Sequence, residues 1–347
     1  MPFSTLFSNV SAMLFGASPL GAADDPDRPL VEALIEAVVD AVDPRLRVVS
    51  RYREKLAPGV RRTIAYLRTL APAISEVVEL SRAAWSANPL LGAWFATPEE
   101  VSALLGRSHE MHAFFDSHPD APEAVALLGM QMQERTALGA APAGESIQRE
   151  VEQKTVSFSG HRIIAPAADP LACRREVGTR ILRRLAALAL RRIVAREQRV
   201  TELEERKAIL ATRLRLLTLR RGSLESIAGD APDESAEIES IERALKGTVD
   251  DYIETKTNLA TLDGTISIVN GILEAPEAHL ALASVRRRVN RMGVIVSSDA
   301  KEAAADLELH ELSMGDALRA VISLVRVARA EIPPKDDRFK DAARQLI

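Results

Sequence analysis

Apolar residues recur mostly at helical spacing along the chain. Leu30, Val31, Leu34, Ile35, Val38, Val39 and Val42 form the stripe that one helix buries, and it stops before Asp43-Pro44. Tyr52, Leu56, Val60, Ile64 and Leu67 continue the period, with Pro58-Gly59 predicting a turn between two helices. Thr97-Pro98-Glu99-Glu100 reads as a helix start: a capping threonine, a proline at the first helical position and a glutamate that reaches back to the cap. Asp120-Ala121-Pro122-Glu123 predicts another start, for a helix running to about Arg135. Residues 25–140 therefore read as an all-helical domain, and the Gly- and Pro-containing stretch Leu138 to Glu145 as a linker.

The period then changes to two. Val156 and Phe158 alternate with polar neighbours, Ser159-Gly160 offers a turn and Ile163 follows, so Glu152 to Ala165 predicts a β-hairpin. Leu307, Leu309 and Leu312 alternate likewise, and Val321 to Val327 is rich in β-branched residues. Residues 146–168 and 276–332 are expected to form a small α+β base module, split by an insertion over 169–275.

Heptads mark that insertion. Ile193, Val200, Lys207 and Leu214 fall at a positions and Arg196, Leu203, Leu210 and Leu217 at d. After a loop near Gly229 to Asp233, Ile238, Leu245, Tyr252, Leu259, Ile266 and Leu273 fall at a and Ile241, Thr248, Thr255, Leu262 and Val269 at d. Arg174 to Arg221 holds 15 basic and 5 acidic residues, a net +10, whereas Asp233 to Glu274 holds 3 basic and 10 acidic residues, a net −7. A short loop and complementary charge predict a long antiparallel coiled-coil hairpin. The fold class expected is mainly α: an N-terminal helical domain plus a small α+β module carrying that hairpin.

Composition narrows the function classes. Hydrophobic residues make up 47% and charged residues 27%, which excludes wholesale disorder, and the single Cys173 excludes an internal disulfide framework and favours a reducing compartment. Cytoplasmic localisation is expected, peripheral to a membrane if residues 1–24 bind one. Phe3, Phe7, Val10 and Leu14 lie at helical spacing in that segment, which holds no Lys or Arg, so it reads as a flexible or weakly amphipathic terminus. Residues 333–347 read as a tail.

Candidate chemistry is sparse. His109, His112 and Asp116, at i, i+3 and i+7 of one helix, offer two imidazoles and a carboxylate to a metal, without the HExxH spelling. Arg183, Arg184, Arg191 and Arg192 return to one helix face, and Arg286, Arg287, Arg288 and Arg291 form a second basic cluster, together a phosphate-gripping alternative. No aromatic residue stands between Arg174 and Arg221 to stack a base. Cys173 beside Arg174 and Arg175 is the one candidate thiolate. There is no GxxxxGK[ST], GxGxxG or GxSxG, and no cofactor is expected. A helix of about 50 residues rises about 75 Å, far beyond what core packing needs. The function expected is thus a non-enzymatic scaffold or adaptor that engages protein partners through its arm, or self-associates. Nucleic-acid binding is the alternative, and a metal-dependent enzyme in the N-terminal domain a second one.

Overall fold

The computed structural model describes residues 27–74, 76–143, 146–225, 232–257, 261–290, 292–296, 304–315 and 318–334. The expected amphipathic terminus, Arg291 and nearly all of the expected tail lie outside them. Two units divide the described chain: one from the residues of Met1–Leu30, Ile64–Ile181 and Pro276–Ile347, the other from Val31–Thr63 and Leu182–Ala275.

The first unit is built on a six-stranded sheet, not on an all-helical domain. Its strands are β1 (Val77–Glu79), β2 (Glu123–Ala143), β3 (Ser146–Ala167), β4 (Leu280–Asn290), β5 (Ala304–Met314) and β6 (Leu318–Ala328). The order is β3-β2-β6-β5-β4, all antiparallel, and β6 serves as the axis. One edge of β6 pairs with β2 from Glu123 to Met130. Its other edge pairs with β5 as far as Ile322 and then with β1, in parallel, from Leu324 to Arg326. Residues 293–296 join the two outer strands of this path. The Val156 N–H donates to the Gly293 carbonyl (2.8 Å) and the Ile295 N–H to that of Lys154 (2.7 Å), while the Asn290 N–H donates to the Val294 carbonyl (3.0 Å).

Both faces of the sheet are covered. On one, Ala124, Ala126, Leu128, Met130, Leu307, Leu309 and Val325 pack under four short helices: α3 (Arg82–Ala87), α4 (Pro89–Trp94), α5 (Pro98–Arg107) and α6 (His109–Ser117), which supply Leu91, Trp94, Leu105 and Met111. On the other, Val125, Leu127, Leu312, Ile322 and Leu324 meet Leu67 and Cys173. This two-sided burial explains the misread helix. A strand buried on both faces is a continuous apolar run without alternation, and Ala124 to Met130 is such a run.

The expected linker at Leu138 belongs to β2, which continues to Ala143, and the expected hairpin turn at Ser159-Gly160 is interior to β3. The register between β2 and β3 shifts where Gly129 pairs with Arg162 and Gln131 with Ser159, leaving one residue opposite two. Gly160 (φ 64°) takes up that extra residue as a bulge, so the glycine signal was real and its meaning local. A second bulge lies where Val125 pairs with Ala167 and Leu127 with Ile164, and there the left-handed residue is Ala165 (φ 55°). Thr97 precedes α5 as expected but makes no side-chain cap bond, and Glu100 accepts instead from the Ala96 N–H at 2.9 Å.

The second unit is helical. Helix α1 (Arg28–Val42) buries Ile35, Val38 and Val39. Helix α2 (Tyr52–Leu70) runs through Pro58 without the predicted break. Gly59 instead serves close packing: a Cβ there would meet Leu273 Cβ at 2.9 Å and Asn270 Oδ1 at 2.8 Å on α9 (Leu262–Leu273). The Thr63 hydroxyl donates to the Leu273 carbonyl at 2.7 Å, and Lys55 pairs with Asp263 on the same helix.

The expected antiparallel hairpin is not evident. Its first arm is one long helix, α7 (Pro170–Glu225), but the second is two helices, α8 (Pro232–Thr257) and α9, and Leu259 lies outside the described residues. Of the seam positions on α7 from Ile193 onward, only Ile193 and Leu203 are buried; Leu210, Leu214 and Leu217 are half-buried and Arg196 is exposed. Lys207, the polar residue at an a position, lies over the Tyr252 ring (4.6 Å), and the Tyr252 hydroxyl donates to Glu204 (2.6 Å), so contact there is polar. Among the described residues no helix is long and apolar enough to cross a membrane.

Candidate functional site

The structure separates the residues proposed for metal binding. On α6, His109 and Asp116 are exposed, while His112 is buried with its Nε2–H donating to the Gly106 carbonyl at 3.0 Å. Among the described residues no three His, Cys, Asp or Glu side chains gather around one point. Glu110, an acid on this helix passed over in the sequence, has a defined task. It receives the Arg180 guanidinium through Nη1 (2.9 Å) and Nη2 (2.8 Å), and the Ala165 N–H at 2.9 Å.

The two basic clusters lie on different kinds of element, and of their residues the structure describes all but Arg291. Arg183, Arg184, Arg191 and Arg192 are exposed on α7. Arg286, Arg287 and Arg288 sit on strand β4, so successive side chains point to opposite faces. Arg287 bonds Glu134 (2.8 Å) and Arg286 approaches Glu308 (3.5 Å). Cys173 is fully buried, and burial pushes its thiol up to about 12 despite the nearby Arg174 and Arg180, which makes it a packed side chain and no nucleophile.

Two features remain, one in each unit. In the helical unit, α7 carries a second apolar row away from its half-buried face. Ile209, Leu216 and Leu219 are 68%, 62% and 63% exposed, and with Thr212 they fall at i, i+3, i+7 and i+10. Arg206, Arg213 and Arg220 follow the same seven-residue step on its flank, and Arg213 is bonded to Glu237 (2.6 Å).

In the sheet unit, a small cleft with a cavity volume of about 40 Å³ lies on the face covered by α2 and α7. Its floor is Leu127, Leu282, Leu312, Ile322 and Leu324 of the sheet. Leu67 and Leu70 of α2 and Ile74 of the following turn form one wall, and Val177, Gly178 and Ile181 of α7 the other. Arg174 is the one charged group in the lining, with its Nη2–H donating to the Ile74 carbonyl at 2.9 Å. These residues come from six separate stretches of chain, which is why periodicity did not reveal the cleft. The one local signal was Gly178, a poor helix former in the middle of a long helix.

No protein-family model matches this chain, and no curated protein and no solved structure was found to be similar to it.

Proposed function

We propose that the chain is a non-enzymatic interaction scaffold whose long helix α7 docks an acidic amphipathic helix of a partner protein. The observation that carries this reading is the exposed row of Ile209, Leu216 and Leu219 at helix-packing spacing on a 56-residue helix. Burying each of these side chains is worth about 1.5–3 kcal/mol when complete, enough to drive helix-in-groove binding. Arginines on the flank select the partner's charge. They also disfavour the same row on a second copy, which would bring like charges together.

A synthetic amphipathic helix with leucines on one face and glutamates beside them is the probe. Binding to the full chain should be saturable and weaken with salt, and Leu216→Glu should cost about tenfold or more in affinity without lowering the melting temperature. Equal binding by Leu216→Glu and the unaltered chain, or equal binding of a lysine-flanked peptide, would sink the reading.

A further inference from the structure

We propose that the outward face of α7 between Arg183 and Arg192 binds the phosphate backbone of a nucleic-acid duplex without reading its sequence. The surface is separate from the helix-docking row, which begins at Ile209 on the same helix.

Leu182, Leu185, Ala186, Ala189 and Ile193 are buried and mark the covered face of this part of α7. With about 100° of turn per residue, Arg184 and Arg191 fall within about 20° of one another and nearly opposite that face. Arg183 and Arg192 flank them, one on each side. All four are exposed, and among the described residues none of them has an ion pair or a hydrogen bond. Arginines before and after them on the helix differ: Arg180 is bonded to Glu110 and Glu176, and Arg199 to Glu202.

The sequence keeps this patch purely positive. No acid occurs from Val177 to Arg196, whereas the whole chain carries a formal charge of −4, so attraction to a polyanion comes from the patch and not from overall charge. The four guanidinium groups are spread over about 14 Å of helix axis. A duplex offers one phosphate charge per about 1.7 Å of its own axis, a dense array over that length. Residues 185–190 are all leucine or alanine, which neither stack on a base nor hydrogen-bond its edge. Phosphates are therefore what this face can recognise, and duplex DNA and duplex RNA both supply them.

Fluorescence anisotropy of short labelled duplexes, titrated with the full chain, tests the proposal. With four phosphates neutralised, affinity for DNA should fall as about the 3.6th power of salt concentration, about 150-fold between about 50 and 200 mM. Arg184→Gln with Arg191→Gln should halve that exponent, to about 1.8. Arg162→Gln with Arg215→Gln, which removes the same charge from exposed positions outside the patch, should leave it unchanged. Two DNA duplexes of unrelated sequence should bind alike, and single-stranded DNA of the same length more weakly. Saturable binding of either the DNA or the RNA duplex supports the proposal, and the tighter of the two names the source. Absence of saturable binding at low salt overturns it, as does an exponent that both variant pairs lower equally, a preference between the two DNA sequences, or tighter binding of the single strand. Displacement of the duplex by phosphatidylserine vesicles at equal phosphate concentration would assign the patch to a membrane surface and overturn it too.

Discussion

Removing the Glu110 carboxylate should weaken the sheet unit at one identifiable point, the second bulge of β3. At that bulge Ala165 is left-handed and its N–H leaves the ladder, and Glu110 accepts it at 2.9 Å while holding Arg180 in a two-pronged bond of 2.8 and 2.9 Å. Helix α6, the bulge and the start of α7 thus share one carboxylate. Both side chains are about a third exposed, 36% for Glu110 and 35% for Arg180, so the pair sits between the surface and buried limits. A coupling of about 1–2 kcal/mol follows for the pair. Glu110→Ala also orphans the Ala165 N–H, adding about 1 kcal/mol, so it should cost about 2–3 kcal/mol and Arg180→Ala about 1–2 kcal/mol. Urea unfolding of the two single variants and the double variant measures the coupling directly. The pH dependence has a definite sign. The Arg180 guanidinium, helped by the Ala165 N–H, holds the Glu110 carboxyl below its ordinary value of 4.5. The contribution is therefore complete above that ordinary value and is lost as pH falls through the lower folded value. Additivity of the two single changes within about 0.3 kcal/mol at pH 7 would refute the shared-carboxylate argument.

Cys173 should resist a disulfide reagent at pH 8 until the chain unfolds, because burial raises its thiol to about 12; rapid stoichiometric labelling of the native protein would contradict that. Gly293→Ala should loosen the link between β3 and β4, since Gly293 is left-handed (φ 77°) and an added Cβ would stand 2.9 Å from the Val156 carbonyl oxygen. A cost of about 1–3 kcal/mol and faster amide exchange at Val156 are expected, and unchanged exchange there would count against the closure.

Local patterns alone determined a good part of this protein. The stripe from Leu30 to Val42 is a helix, Pro98 does open one, and the alternation of Leu307, Leu309 and Leu312 is a strand. Each of these sits at a boundary between core and solvent, where a side chain's polarity reports which way it faces. The tertiary structure decided what such boundaries cannot show. Ala124 to Met130 is apolar throughout because β2 is covered on both faces, so its period is lost and helix and strand look alike. Gly160 signals a positive φ, but whether that makes a turn or a bulge depends on the neighbouring strand's register. Heptads at Ile238 to Leu273 specify a face for burial without specifying what covers it, and the observed elements divide that stretch into α8 and α9. The cleft was beyond sequence reading for the same reason: an absence of side chains among Leu67, Gly178 and Leu324 exists only once distant segments are brought together.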